Sequence, residues 1–449
     1  MRKSSLPAGP VLSSRGWSEL WKKEDWWAIW LGLGIIITSI MFWVVGSSLD
    51  PIALISPEWS EFTTVVAHFN EKLGLYFLQF LAWLAAFGIA VHILGYRIRE
   101  FIPGFALLFI LALLVLTFGS WEWAKKYNLE APLVALALGM LIGNTMTIPK
   151  WLDATLRTEF YVKTGIVLLG ATLPFTKIIQ AGPMAFFQAT LVAAVTFLSI
   201  YLAGTKLFGL DKRFAATLGA GGSICGVSAS IAMGSSVKAE KNHVSVSISL
   251  VIVWAIVMIY LLPIIIKYYG IHPGPAGAWI GTSEFADAAG MAAAAAIGEQ
   301  SIRTFTLMKV VGRDMFIGIW CFIMALISVT RWEKRESGTR PDVMEIWYRF
   351  PKFVMGFFVA SALITFLVIS VDSETAATIN SQVINPIKTL RTWAFTFCFL
   401  CIGATTRFKE LSAVGWRPFA AFTIGVLINV PFGYVLSNVL FAAYWMAVH

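Results

Sequence analysis

The sequence predicts an all-α polytopic membrane protein with about thirteen transmembrane helices, at roughly 20 apolar residues per span. Hydrophobic residues make up 58% of the 449-residue chain, and only 13% of the residues are charged. A typical soluble domain carries about 25% charged residues. This composition cannot cover a water-facing surface, so a soluble enzyme, a disordered protein and a secreted disulfide scaffold are excluded.

The apolar runs are expected to be helical, because isolated strands would leave backbone groups unpaired in lipid. In chain order, the predicted segments are 27–46, 74–95, 101–120, 131–148, 159–175, 184–208, 214–235, 244–268, 275–298, 304–330, 350–371, 389–407 and 418–446. The predicted organisation is a cytoplasmic N-terminal segment at 1–26, N-terminal helices at 27–120, a first transporter half at 131–330, a cytoplasmic connecting loop at 331–349 and C-terminal helices at 350–449.

The basic residues predict the orientation of these segments. Most of the 34 Lys and Arg residues fall in loops on one side if the N-terminus is cytoplasmic, and the connecting loop carries several of them. The C-terminus is then outside. The formal net charge of +9 is therefore a topology signal, and no nucleic-acid partner is expected.

Two short blocks of the chain resemble each other. Residues 170–182 align without gaps on residues 403–415 and share Gly, Ala, Thr, Phe and Gly at matching positions. The first block ends the fifth predicted segment and the second ends the twelfth, so the two copies should run in opposite directions. Inverted repeats of this kind characterise secondary transporters, whose substrate sites lie at broken helices.

The segment 218–234 is the first candidate for such a break. It is rich in glycine, which weakens a helix by about 1 kcal/mol per residue, and a broken helix inside a membrane is tolerated where it lines a cavity. A half-helix N-terminus there would attract an anion. The alternative is close helix packing through small residues. The predicted substrate-binding residues are Gly222, Ser223, Cys225, Gly226 and Ser228.

The segment 275–298 is the second candidate. Glu284 and Asp287 lie near its middle, where acidic groups are costly and face protein or water. Their i, i+3 spacing predicts that they share one helix face. They either bind a coupling proton or Na⁺, or form a buried ion pair with Lys309 or Arg313. Thr282 and Ser283 are expected to contact substrate.

Segment 304–330 carries Lys309, Arg313 and Asp314 within an apolar run. Arg313 suits an oxyanion because its guanidinium offers paired donors, although Asp314 beside it would neutralise its charge. Asn429-Val-Pro431 and Asn385-Pro386 are weaker helix-break signals, for which kinks without function are expected.

No other chemistry is expected from the sequence. The four cysteines lie inside apolar segments and are interpreted as packing residues, including the C-x-x-C pair Cys398 and Cys401. The sequence shows no metal-ligand cluster, phosphate loop or nucleophile–base set, so neither an enzyme nor a metal or organic cofactor is predicted. Small-residue helix faces also allow a homodimer.

Several motifs together resemble the YeiH-type sulfate exporter family of bacterial inner membranes. They are the block Ala220–Ala229, Val237-Lys-Ala239 with Val244–Ile248, the Gly-Ile-Val-Leu-Leu-Gly run at 165–170, and Lys309 ahead of Arg313. The resemblance covers roughly residues 130–445. It implies a place in the cation/proton antiporter and anion transporter superfamily, with inverted repeats, crossing broken helices and elevator-like alternation.

This chain departs from the family pattern in two places. Ser283-Glu-Phe-Ala286 stands where the family has Ser-Ile-His-Glu, and the N-terminal extension is longer. The sequence, with the resemblance, therefore predicts a secondary transporter of sulfate or an organosulfonate in the bacterial inner membrane. A cation/proton antiporter that uses Glu284 and Asp287 is the alternative.

Overall fold

The apolar runs fold into helices in the computed structural model, which describes residues 19–126, 129, 131–173, 175–314, 317–328, 332, 351–406 and 415–448. Within these ranges the only β-type pairing is one isolated bridge between Trp59 and Trp121. The helices are α1 (Glu19–Lys22), α2 (Glu24–Val44), α3 (Phe62–Ile93), α4 (Ile98–Gly119), α5 (Glu122–Lys126), α6 (Ala131–Thr145), α7 (Thr158–Gly170), α8 (Phe175–Leu202), α9 (Lys212–Ser223), α10 (Val227–Ser236), α11 (Lys241–Tyr268), α12 (Pro273–Ser283), α13 (Asp287–Ala295), α14 (Glu299–Thr306), α15 (Ile317–Ile327), α16 (Phe353–Ile369), α17 (Ser373–Ile379), α18 (Asn385–Thr405), α19 (Trp416–Tyr434) and α20 (Ala442–Met446).

Seven helical stretches of the described chain are long and apolar enough to cross a membrane. They are 24–44, 62–93, 98–119, 182–207, 242–268, 373–405 and 416–440, and α6 and α16 are shorter apolar helices. These helices confirm an all-α polytopic membrane protein. The side on which the N-terminus lies and the domain boundaries stay predictions, and the loop 331–349 lies largely outside the described residues.

Two predicted segments are broken in the middle, as the glycine-rich composition and the inverted-repeat hypothesis indicated. The segment 214–235 forms α9 and α10, which are separated by Ile224–Gly226, and the segment 275–298 forms α12 and α13, which are separated by Glu284–Ala286. Gly226 has φ +72°, a left-handed conformation that costs other residues about 1–2 kcal/mol.

The prediction of one continuous helix at 304–330 is wrong. The chain forms α14, then a π-helical turn at Leu307–Val311, and resumes as α15 at Ile317. Such π-turns insert one extra residue per turn and are frequent at functional sites. Here the π-turn contains Lys309.

The predicted segments 74–95 and 389–407 begin too late, because the helices extend into polar residues on their N-terminal sides. Helix α3 begins at Phe62, twelve residues before the predicted edge. The chain also stays helical from Ser373 to Thr405, where a π-turn at Asn380–Ile384 leads directly into α18. Pro386 therefore lies inside a continuous helical stretch, directly after the π-turn.

The helices form two bundles. In the first, α2, α3, α4, α6, α7, α16 and α18 pack together; in the second, α8 to α15 pack with α19 and α20. Close contacts within the first bundle need glycine: a Cβ on Gly139 of α6 would lie 2.9 Å from the Cα of Gly403 in α18. In the second bundle the Trp279 indole donates to the Val430 carbonyl at 2.9 Å, which links α12 to α19.

Helices α7 and α18, which precede the two similar blocks, run antiparallel. Arg391 near the start of α18 donates to Thr172 beyond the end of α7. Cys401 near the end of α18 instead contacts the Thr155 carbonyl before α7 begins. This arrangement agrees with the opposite orientation expected of inverted repeats. Most of the second block lies outside the described residues.

Candidate functional site

The two breaks meet each other inside the second bundle. A Cβ added to Gly226 would collide with the carbonyl oxygen of Phe285, so only glycine permits this approach. The breaks that follow α9 and α12 therefore lie against each other. Helix ends carry unpaired backbone groups and partial charges, which must be satisfied where they are buried.

Lys309 satisfies one carbonyl at each break. Its fully buried ammonium donates to the carbonyl of Ile224 at 2.8 Å and to the carbonyl of Glu284 at 3.0 Å. The same Nζ lies 3.7 Å from an Asp287 carboxylate oxygen. A positive charge at two helix C-termini is electrostatically favourable, so Lys309 joins the two broken helices.

Arg313 satisfies three more carbonyls of the same helix ends. Its Nε donates to Ser223 at 3.1 Å, and its Nη1 donates to Gly281 at 2.7 Å and to Thr282 at 3.0 Å. Its Nη2 has no hydrogen-bond partner, although the residue is only 2% exposed. Arg313 therefore positions both breaks and keeps the two buried N–H groups of its Nη2 available to a ligand.

Glu284 and Asp287 do not share one helix face, and that prediction is wrong. The chain is extended at Glu284 (φ −92°, ψ 137°), which ends α12, whereas Asp287 is the first residue of α13. One Glu284 oxygen accepts the Ala286 backbone N–H at 2.6 Å, and the other has no partner. Asp287 pairs with Lys309, so the two carboxylates have different surroundings.

Asp314 adds a third carboxylate to the site. It is 2% exposed, and neither of its oxygens has a hydrogen-bond partner. One oxygen from Asp287, one from Asp314 and the Cys225 sulfur lie within 4.8 Å of one another. Because Lys309 and Arg313 already face these carboxylates, we do not assign a metal ion, and the absence of a metal site stays a prediction.

The predicted hydroxyl groups are buried around the same breaks. Ser223 ends α9, and Thr282 and Ser283 end α12. The Thr282 hydroxyl donates to the Trp279 carbonyl at 2.9 Å and lies 3.4 Å from the Ser283 hydroxyl. Ser228 lies in the first turn of α10, and its side chain is outside the described part of the structure.

Close packing and helix breaking both account for the small residues of 218–234. Gly222 packs against Ile200 and Phe422, and Gly221 faces the Ser230 and Ser247 hydroxyls, which lie 2.8 Å apart. Only Gly226 marks the break itself. An apolar cavity of about 220 Å³ between α8, α10 and α15 reaches Ser223 and Ile224.

Asn429 is a site residue that sequence reasoning missed. Its buried amide donates to the Thr196 hydroxyl at 2.7 Å and to the Thr282 carbonyl at 3.1 Å. Its own carbonyl oxygen has no partner. The sequence carries a signal for it, because an amide inside an apolar run, two residues before Pro431, is a polar group that must find a partner.

Comparison with known proteins identifies the family. A family model described as "Conserved hypothetical protein 698" matches residues 103–422. A "UPF0324 membrane protein" of Rhodopirellula baltica is 33% identical over 395 residues, which cover 87% of this chain and 70% of the relative. A relative of the same name in Nitratidesulfovibrio vulgaris is 32% identical over 79% of this chain, which spans 62% of that relative's length.

The resemblance to YeiH is also confirmed. The "UPF0324 inner membrane protein YeiH" of Escherichia coli is 28% identical over 325 residues, which cover 71% of this chain and 88% of YeiH. No solved structure matches the chain. The chain belongs to the UPF0324 family of membrane proteins, described by its family model as conserved hypothetical protein 698.

Proposed function

We propose that this protein is a secondary active transporter of a small anion, sulfate or an organosulfonate, that works by alternating access. The observation that carries the proposal is the meeting of two broken helices, held together by Lys309 and Arg313. Broken helices with facing ends form the substrate and ion sites of secondary transporters.

Two features of this site favour an anion. The unpartnered Nη2 of Arg313 is a charged donor, and the N-terminus of α10, like that of any helix, attracts anions. In this proposal the anion is cradled by Gly222, Ser223, Cys225, Gly226 and Ser228. Thr282 and Ser283 close the site from the second broken helix.

In this proposal, alternating access arises from movement of the second bundle relative to the first. Helix α13 belongs to the second bundle, but it packs against α6, α7 and α18 of the first bundle. Its sequence Asp-Ala-Ala-Gly-Met-Ala-Ala-Ala-Ala presents almost only small side chains at this contact. A smooth surface of this kind permits sliding of one packed body against another, as shear motions and elevator-type alternation require.

The coupling ion would bind at the acidic residues beside the breaks. Glu284 and Asp287 lie where a proton or Na⁺ would compensate part of the substrate's charge. The second candidate function, a cation/proton antiporter, uses the same two residues without any anion. The unpartnered Glu284 oxygen is the observation that favours this alternative.

Binding measurements separate the two candidates. A ligand at a hundred times its Kd stabilises the folded state by about 2.7 kcal/mol. We expect sulfate or a taurine-like sulfonate to raise the melting temperature of the purified protein, and Ser223→Leu to abolish this shift while the variant stays folded. Stabilisation by Na⁺ alone, with no response to any anion, would favour the antiporter.

A further inference from the structure

Asp314 has no role in the proposed anion site, yet it is the least satisfied charged group there. Both of its carboxylate oxygens are buried without a hydrogen-bond donor. Leaving a charged group in this state is costly, because burial removes the water that would stabilise it. Lys309 and Arg313 lie near Asp314, but neither donates a hydrogen bond to it, so its two oxygens still need a donor.

Its nearest acidic neighbour is Asp287. One oxygen of each carboxyl group belongs to the group of atoms that lie within 4.8 Å of one another. The Oδ1 atom of Asp287 also lacks a hydrogen-bond partner. Two carboxylates can only accept hydrogen bonds, whereas a single proton between them supplies both with a partner.

The surrounding charges agree with one added proton. Glu284, Asp287 and Asp314 are three carboxyl groups, and they face two basic side chains, Lys309 and Arg313. The site therefore carries one negative charge when every group is ionised. A buried site avoids such an uncompensated charge by binding a proton, and adjacent carboxylates share one for the same reason.

Other neighbours do not remove this excess charge. From the break between α9 and α10, Cys225 contributes a thiol. From α7 in the first bundle, Glu159 and Lys163 act on Asp287. Lys163 is already engaged by Asp25 at 2.9 Å and by Glu159 at 3.4 Å, so this group adds no positive charge to the pair.

The second observation at this site is the buried and unpartnered Nη2 of Arg313, which points to a ligand of negative charge. We propose that Asp287 and Asp314 share one exchangeable proton, and that this proton is taken up and released together with the transported anion. Its role in transport rests on the proposed function. The proton enters from water onto the carboxyl pair and leaves to water on the opposite side, so no other reactant is required.

Infrared spectroscopy tests the shared proton without any transport measurement. Purified wild-type protein at neutral pH should show the carbonyl band of one protonated carboxyl group, which shifts in D₂O. The band should disappear in Asp314→Asn and in Asp287→Asn, and it should persist in Glu284→Gln. Glu240→Gln is the matched control, because the Glu240 side chain is 78% exposed.

The result that overturns the site is equally specific. A band that persists in both aspartate variants and disappears in Glu284→Gln would place the proton on Glu284. No band in the wild type would show that no carboxyl group at the site is protonated. If one aspartate variant does not fold, the other still decides the question.

Proteoliposomes test the coupling separately. With the membrane potential clamped at zero, one proton per anion and a pH difference of one unit should support about tenfold accumulation of labelled sulfate. Asp314→Asn should exchange sulfate but not accumulate it, whereas Glu240→Gln should behave as wild type. Exchange by the wild type without pH-driven accumulation would overturn proton coupling, and loss of exchange itself would count against the proposed function instead.

Discussion

At the scale of single residues, the buried basic side chains of the site are hydrogen-bonded mainly to backbone carbonyl groups. Lys309 and Arg313 together donate hydrogen bonds to five backbone carbonyl groups at the ends of α9 and α12. The sequence predicted that ionisable residues within the apolar segments would be functional. It did not predict these partners, because Lys309 lies 85 residues from Ile224 and only the fold brings them together.

We expect Lys309→Met to destabilise the protein strongly. The substitution leaves the carbonyls of Ile224 and Glu284 without a donor and removes the cation beside Asp287, and breaking a buried pair in this way costs about 3–5 kcal/mol. The melting temperature in detergent measures the effect. Lys22→Met, at an exposed position of α1, is the control. Equal melting temperatures for the two variants would contradict the role assigned to Lys309.

Asn429→Ala should weaken the site more than the fold. The variant leaves the Thr282 carbonyl and the Thr196 hydroxyl without their donor, a loss of about 1–3 kcal/mol for a buried group. We therefore expect a moderate fall in melting temperature and a clear loss of anion-induced stabilisation. Asn438→Ala, in the π-turn Val435–Leu440 that follows α19, should change neither quantity, because the Asn438 amide donates only to the Tyr434 carbonyl one turn earlier. Undiminished anion binding by Asn429→Ala would remove Asn429 from the site.

At the scale of elements, the break at Gly226 depends on both conformation and space. The residue combines a positive φ with direct contact to the Phe285 carbonyl. The second break contains no glycine, and its extended conformation at Glu284 is held by the Ala286 N–H and by Lys309. The two breaks therefore differ in origin. The first requires the backbone conformation of a glycine, whereas the second depends on hydrogen bonds around Glu284.

Gly226→Ala tests this difference. The added methyl group meets the Phe285 carbonyl, and the left-handed backbone alone costs about 1–2 kcal/mol. We expect a lower melting temperature and no anion binding. Gly74→Ala is the matched control, since nothing lies within 4 Å of its added Cβ and α3 is helical there. It should be neutral or stabilising by up to ~1 kcal/mol. A Gly226→Ala variant that binds anion normally would contradict the close approach of the two breaks.

The sequence predicted the positions of the helices better than the positions of the breaks and π-turns within them. Apolar runs located the helices, and glycine located the break at Ile224–Gly226. A second break was expected within 275–298 but was not placed at Glu284–Ala286, so Glu284 and Asp287 were assigned to one helix face. The π-turn at Lys309 was missed, because residues 304–330 are apolar enough to suggest one uninterrupted helix. Contacts with distant helices determine the extended conformation at Glu284 and the π-turn at Lys309, and a local sequence pattern carries no information about those contacts.

At the scale of the whole molecule, an ion pair joins the two bundles in the described part of the chain. Arg391 of α18 makes a two-pronged ion pair with Glu299 at the start of α14, with distances of 2.8 and 3.2 Å. It also donates to Thr172 at 2.9 Å. The pair is positioned to hold the bundles in the observed arrangement, at the end of the molecule where α7 finishes.

This ion pair predicts a pH dependence of stability. Burial alone would raise the pKa of Glu299, but the Arg391 guanidinium and its hydrogen bonds outweigh this effect and hold the pKa below its ordinary value of 4.5. The stabilisation is therefore complete above pH 4.5 and is lost as the pH falls through the lowered pKa.

Glu299→Gln removes this contribution. Its melting temperature should lie below that of the wild type at pH 7, and the two values should converge in the acid range. Arg391→Gln should show the same convergence. A difference that stays constant or grows at low pH would show that the pair does not titrate in this way.

The most direct test of the transport proposal is counterflow of labelled sulfate into proteoliposomes loaded with unlabelled sulfate, a taurine-like sulfonate or no anion. We predict saturable uptake that an internal anion stimulates, and the stimulating anion identifies the substrate class. Absence of uptake with every anion, from protein shown to be folded and oriented, together with a flux that depends only on Na⁺ and pH, would contradict anion transport and support cation/proton antiport.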